Sequence, residues 1–486
     1  MRLLTMGLTL RAWQDTAHPR EKDNRGALRL IRVFCPALAL LALTALVQPV
    51  SAQEGADPPP PQGTADSSQA AACWLCDLRT RPTLTGDWGG YRSRLQERGL
   101  TFGATVTQFA FGMKGGFNAP VPAPFSHGDR GSYTGRGQYD LGVDLQKFGW
   151  LPHGKLLVTA EHWWGEYGNV SLSTGAFEPA VFGAALPPNA NKEGTLALTN
   201  FFLVQPFSEN LVVFVGKKVL VGEMDQDRFA GGNGTQQFMN QALVANPAFL
   251  LGMPYTGFAA GLVSPQKWGR MTVVVRDPEN RTTDTLGLDN LFAKGVIVQS
   301  EVRLTTNFFG LPGDQHIGGV WKGFDQKDLN FLFSPPPEFP GIEGASSRTR
   351  SEGYTVFYGF DQFVVRYKDE EERGWGLFGR ASYSDGNPTP LRYFVSAGLG
   401  GDSPFKGWTR CDKFGVGWYY TDASNEFGPI PKTVFGIQNG TGVELYYKFQ
   451  VTPWIDVTPD LQYVRPWAHR VAEDAFLYGL RVNMKL

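Results

Sequence analysis

The sequence predicts an all-β fold, a transmembrane antiparallel β-barrel of about 16 strands with a short N-terminal helix. Three observations predict it. Apolar and polar residues alternate in runs of about ten, the period of a membrane strand. In "GVELYYKFQV", Val443, Leu445, Tyr447, Phe449 and Val451 oppose Glu444, Tyr446, Lys448 and Gln450. Aromatic residues gather at the ends of such runs, in "KFGWLP", "EHWWGEY", "GWYY" and "VTPWI", where a membrane interface favours them. The chain also finishes on an amphipathic strand, "AFLYGLRVNMKL", which a closing barrel needs. Alternation in any one strand would equally suit a soluble sandwich, but sandwich strands usually run to five or six residues.

Composition agrees with this class. Charged residues make up 19% of the 486, below the roughly 25% usual in soluble domains. The chain carries 59 glycines and 64 aromatic residues, suited to turns, strands and interfaces. A formal net charge of −1 gives no electrostatic footprint for a nucleic-acid partner.

Residues 1–52 read as a signal peptide. Seven basic and three acidic residues precede the apolar run "VFCPALALLALTALVQPV", and Val50-Ser51-Ala52 fits a small-x-small cleavage pattern. Gln53 is then the mature N-terminus, and 38 basic against 43 acidic residues leave the exported chain at −5. Residues 53–83, with "DPPPPQGT" and "ADSSQAAA", form a flexible Pro-rich leader. Its "CWLC" places Cys73 and Cys76 where an exported chain permits a disulfide, idle thiols being the alternative. A thioredoxin-like role would need a βαβ context that does not follow.

Residues 84–99, "LTGDWGGYRSRLQERG", predict a short helix. Asp87 is a plausible N-cap and Gly99 a plausible C′ residue, with Trp88, Tyr91 and Leu95 at i, i+3 and i+7. Residues 100–486 then supply the outer-membrane barrel. Strand-like segments fall at approximately 100–112, 138–146, 155–164, 195–205, 211–219, 255–263, 270–277, 295–304, 315–324, 354–368, 375–383, 393–401, 412–420, 441–451, 454–463 and 475–486. Long connections at 113–137, 165–194, 220–254, 325–353 and 421–440 alternate with short turns such as "LPHG" and "PFSEN".

Several segments carry a resemblance. "LTGDWGGYRSRLQERGLTFGATVTQ" resembles the D-W-G-G-x-R-x-x-L-x-x-x-G signature of the carbohydrate-selective porins of the OprB type. "LVVFVGKK", "FMNQALVANPAFLLGMPYTGFAAGLV" and "RGWGLFGRASYSDGNPTPLRYFVSAGLGG" are similar to the same family, as is the terminal "GVELYYKFQVTPWIDVTPDLQYVRPW…DAFLYGLRV". The resemblance implies a Gram-negative outer-membrane barrel passing small carbohydrates by diffusion, with a functional pore in each chain, so that oligomerisation is not required. It also implies outer-membrane lipid and the barrel-assembly machinery as partners, and that the helix at 84–99 is a periplasmic segment at or in the barrel mouth. The "CWLC" leader is outside what the family's barrel requires.

A sugar-selective pore needs no nucleophile, cofactor or metal. It needs charged and amide groups that bond hydroxyls, and aromatic faces. Phase within each strand nominates the channel lining: Glu161, Arg276, Gln299, Glu301, Arg303, Gln362, Arg366, Phe378, Arg380, Glu444 and Lys448. A charge on the lipid face near the midplane costs about 2–4 kcal/mol, which favours an inward assignment for mid-strand charges. The 220–254 connection can fold inward as a constriction, with Phe229, Phe238 and Asn240 near it, or stand outside with its own small core. No H-E-x-x-H, G-x-S-x-G or Walker pattern occurs, so an enzyme reading has no motif. The remaining alternatives are a general or organic-acid porin and a plugged structural barrel.

Overall fold

The computed structural model describes residues 78–119, 131–165, 170–185, 196–219, 224–331, 348–367, 373–405 and 411–486. The expected signal peptide and the Cys73–Cys76 pair lie outside the described residues. Sixteen strands close into one antiparallel barrel. They are β1 Leu100–Phe117, β2 Gly131–Asp144, β3 Lys155–Gly165, β4 Leu196–Ser208, β5 Leu211–Val219, β6 Thr256–Gln266, β7 Gly269–Arg276 and β8 Gly295–Phe308. The second half comprises β9 Leu311–Phe324, β10 Gly353–Arg366, β11 Gly374–Ser384, β12 Leu391–Asp402, β13 Lys413–Ala423, β14 Gly440–Thr452, β15 Ile455–Arg465 and β16 Ala472–Lys485. Each pairs with its sequence neighbours, and β16 closes on β1 with Val106 opposite Met484. A separate two-residue ladder joins Gln326–Lys327 to Thr349–Arg350.

Every anticipated segment corresponds to one strand, in order. The alternation does what a closed membrane sheet requires: β14 buries Glu444, Tyr446 and Lys448 inside and presents Val443, Leu445 and Phe449 outside. Closure leaves no open sheet edge facing lipid. Among the described residues, no helix is long and apolar enough to cross a membrane. Several strands outrun their expected ends, β1 and β2 by the most. β1 continues to Phe117 and β2 starts at Gly131 rather than near 138. Glycines at 112, 115, 116, 131, 135 and 137 thin the apolar signal there, while the ladder still pairs Gly112 with Gly131.

The two rims differ. Two-residue turns at 209–210, 267–268, 309–310 and 453–454 lie on one rim. Phe309 (φ 56°) and Gly310 (φ 77°) hold one of these turns with both central residues left-handed, as a tight hairpin demands. The long connections occupy the other rim, the arrangement of outer-membrane barrels with short periplasmic turns.

Helix α1, Tyr91–Glu97, sits at the short-turn rim. Its N-cap is Gly90 (φ 84°), which corrects the expected Asp87. The Asp87 carboxylate instead accepts from the N–H and hydroxyl of Ser93, both at 2.9 Å. Gly99, at φ 93°, takes the left-handed position past the helix end, as a C′ residue does. No residue of α1 is buried, so the apolar spacing of Trp88, Tyr91 and Leu95 does not mark a packed face. Arg92 fastens the segment: it donates to the carbonyls of Phe102 (2.7 Å) and Leu486 (3.3 Å). The Leu84 N–H also donates to Lys485 O at 2.8 Å.

Candidate channel lining

The inward phase of the strands places Glu161, Gln299, Glu301, Arg303, Phe378, Arg380, Glu444 and Lys448 inside the barrel, each buried, and Arg276 likewise at the end of β7. Gln362 is a correction. In β10 the odd residues Phe357, Asp361 and Phe363 point inward, so Gln362 lies on the outward side. There it donates to Leu311 O (3.0 Å) and Pro312 O (3.2 Å) beside the turn. A bulge between Phe363 and Val365 shifts the register, so Arg366 returns to the inner phase opposite Gly374. The two residues therefore do not share a face. A bulge moves one residue out of alternation, which a period-two reading cannot register.

The connection between β5 and β6 folds inward. Its two short helices, α2 Gln241–Val244 and α3 Pro247–Leu250, are entirely buried. Asn240 and Asn246 cap them, accepting from the N–H groups of Ala242 and Ala248 at 3.0 Å. Those caps satisfy helix donors where no water is at hand. Phe229 and Phe238 are buried too: Phe238 packs edge-on to Phe378 (5.4 Å) and Tyr446 (4.9 Å), and Phe229 to Phe363 (5.0 Å). Glycines on the wall make the room. A Cβ on Gly376 would stand 2.4 Å from the Phe229 ring, and one on Gly417 2.7 Å from Leu243.

The charged wall residues hold this loop by its backbone. Arg380 donates to Leu243 O (2.9 Å) and Ala230 O (2.6 Å), and its Nε lies 2.7 Å from Asp227 and 3.6 Å from Asp225. Glu301 accepts from the Asp225 N–H (2.7 Å), and Arg303 donates to Gln226 O (2.6 Å). Glu444 accepts from the N–H groups of Met239 (2.6 Å) and Asn240 (2.9 Å). Lys448 donates to Gln236 (2.9 Å), and Asn240 donates to Gln462 (3.1 Å). Arg481, which phase alone does not distinguish, donates to Gly234 O (2.9 Å) and Gln237 O (2.8 Å). The loop thus covers a continuous arc of wall from β8 to β16. Unpaired, each such charge would be costly to bury.

Within the loop, burial presses both aspartates upward. Asp225 nevertheless ends below its usual range, held there by Arg380 and His316. Asp227, which Asp225 and Asp361 also repel, is pushed up to about 7. In the β3–β4 connection, burial likewise pushes Glu178 up to about 7. That connection supports the first loop from behind, with the Phe182 N–H donating to Met239 O (2.7 Å) and the Gln241 N–H to Pro179 O (3.0 Å).

The segment 170–184 packs on the inner faces of β1 and β2 nearer the long-loop rim, and below it a gap stays between these strands and the loop tip. A pocket of about 330 Å³ separates Thr105, Thr107, Arg136 and Gln138 on the wall from Asn233, Thr235 and Gln236 at the loop tip. Arg136 lies 2.5 Å from Glu161, and Tyr255 completes the group, donating to Glu161 at 3.0 Å and accepting from Arg136 at 3.0 Å. Lower on the same wall, Asp140 accepts from Thr159 (2.8 Å) and Gln138 (2.9 Å). Arg136 was hidden from the sequence reading because β2 was expected to begin two residues later. Extending the parity of Gln138 and Asp140 back across Gly137 would have reached it.

Residues 129–486 match the carbohydrate-selective porin, OprB family. The chain belongs to that family. It is also 22% identical over 452 residues to QuiX of Acinetobacter baylyi, assigned as a porin, covering 83% of this chain and 93% of that protein. The fold is similar to a high-pH structure of Pseudomonas putida OprB, at a TM-score of 0.69 and 19% identity, covering 84% of this chain and 99% of the other. A low-pH structure of the same protein gives 0.50 at 17% identity, with the same coverage. The chain is accordingly a sugar-selective porin of the outer membrane. The fold and family are those of a channel rather than an enzyme.

Proposed function

We propose that sugars cross this porin through an off-centre passage, between the tip of the inward loop and the wall formed by β1 to β3. The observation that carries this reading is the one-sided covering of the lumen. Glu301, Arg303, Arg380, Glu444 and Arg481 are bonded to loop backbone, whereas Thr105, Arg136 and Gln138 face the pocket.

The chemistry of that gap suits a polyhydroxylated neutral solute. Amide side chains at Gln138, Asn233 and Gln236 offer both donors and acceptors, and the threonine hydroxyls do the same. Arg136 supplies directional N–H donors, and its pairing with Glu161 keeps the gap from attracting anions alone. Phe229, Phe238 and Asn240 then serve to hold the constricting loop rather than to touch the solute. Sugar hydroxyls exchange water for these groups in turn, which permits entry without trapping. The test is single-channel conductance of the refolded barrel in a planar bilayer, titrated with glucose and longer glucosides. Conductance that falls saturably with sugar supports the reading. Conductance indifferent to sugar overturns it.

A further inference from the structure

The outer face of the long-loop rim holds a second polar site. A pocket of about 540 Å³ opens where the 424–439 connection meets the ends of β13, β14 and β15. Lys432, Arg465 and His469 line it together with Asn425, Gln438 and Asn439, and none of its lining residues is acidic. Asn439 organises the floor, donating to the Tyr420 hydroxyl (2.6 Å) and accepting the Ala423 N–H (3.3 Å), while its carbonyl lies 3.3 Å from His469 Nε2. Lys432 donates one bond, to Asn425 O at 2.7 Å, and an ammonium has three protons to give. Three carboxylates stand around it without forming an ion pair to Lys432 or Arg465: Asp422 is bonded to the pocket's Tyr420, Asp474 accepts from Tyr463, and Glu426 accepts from Asn330.

Position decides what the cations are for. Arg465 and Tyr420 belong to the outward phase of β15 and β13, so the pocket faces away from the lumen. Directly below it runs a continuous apolar strip, Trp418, Val443, Leu445, Leu461 and Tyr463, each about two-fifths exposed. Two cations, Lys432 and Arg465, and the His469 imidazole set at the head of a lipid-facing strip match an amphiphile whose headgroup is anionic and whose tails are apolar. The long-loop rim faces the outer leaflet.

We infer that this pocket binds the phosphorylated sugar headgroup of an outer-leaflet glycolipid, with the acyl chains lying on the strip beneath. Such a ligand would clamp the 424–439 connection against the barrel wall, independently of what passes through the lumen.

The test uses the refolded barrel in a neutral detergent. It is titrated calorimetrically with a bisphosphorylated, acylated glucosamine disaccharide, with the dephosphorylated form, and with inorganic phosphate. The phosphorylated glycolipid is expected to bind the native chain most tightly. The combined Lys432→Gln, Arg465→Gln and His469→Gln variant should bind it roughly tenfold more weakly or worse, with unchanged single-channel conductance showing that the barrel is intact. The paired Lys432→Arg and Arg465→Lys substitutions should restore most of the affinity. Equal binding by the native chain and the glutamine variant would overturn the inference. So would equal binding of the dephosphorylated lipid. Inorganic phosphate binding as tightly as the glycolipid would overturn it as well, showing an anion site that has no use for the strip.

Discussion

The two walls of this barrel carry the same kinds of side chain and use them differently. On the β8–β11 arc, Glu301, Arg303 and Arg380 are buried under a loop and bonded to its backbone. On the wall of β1 and β2, Arg136 and Gln138 line a gap of about 330 Å³, with loop amides on the far side. A charged residue inside a barrel can therefore be a wall of the channel or a fastener for what narrows it. Strand phase does not separate the two roles. What separates them is whether a backbone carbonyl or N–H has come within bonding distance.

The sharpest way to break this contrast is Arg380→Ala. It would strip two carbonyls of their donor and leave Asp225 and Asp227 buried with less counter-charge, which costs about 3–5 kcal/mol for a buried pair. The expected result is a detached loop, read as larger and noisier single-channel conductance in a barrel whose β-sheet circular dichroism persists. Glu444→Gln should do the same more mildly, since an amide offers one acceptor oxygen where the carboxylate served two N–H donors. Its cost is about 1–3 kcal/mol, visible as faster proteolysis of the loop.

On the open wall the expected effects concern permeation. Arg136→Ala leaves Glu161 with Tyr255 alone, so the reversal potential in a salt gradient should move towards cation selectivity, and because the pair is buried the melting temperature should fall as well. A pH series sharpens the comparison from the other side. Glu178 and Asp227 both have carboxyl groups raised by burial to about 7. A raised carboxyl stabilises the packed loop fully below its unfolded value near 4, and that contribution is lost as pH rises through 7. Loop packing should accordingly loosen between about pH 4 and 8, seen as increasing open-channel noise. The smallest effect belongs to Gln362→Ala. It removes bonds at the short-turn rim worth about 1 kcal/mol or less and should leave sugar titrations unaltered.

Much of the architecture was legible because a membrane barrel writes it twice, once as alternation and once as aromatic belts. All sixteen strands fall where period two places them, including β9 and β10 with their weaker patterns. Glycine-rich ends such as Gly131–Gly137 were not legible, because hydrogen-bonded pairing holds a strand that has few side chains to announce it. Nor was the bulge before Val365, which reverses the relation of Gln362 to Arg366. The inward loop was half-visible: its apolar residues allowed either an inserted or an external fold, and the choice rests on distant partners. Asn240 meets Gln462, and Ala230 meets Arg380, across more than a hundred residues of chain. No local pattern records such a meeting.

One paired measurement bears most directly on where the sugar travels. Gln138 and Gln299 are glutamines of the same inward phase on opposite sides of the covering, the first at the gap and the second buried on β8. Alanine at each position should be compared by the sugar concentration that half-closes single-channel conductance. We expect Gln138→Ala to shift that concentration roughly threefold or more, the loss of one or two hydrogen bonds, and Gln299→Ala to leave it in place. A shift produced by Gln299→Ala with none from Gln138→Ala would put the passage on the other wall and contradict the account.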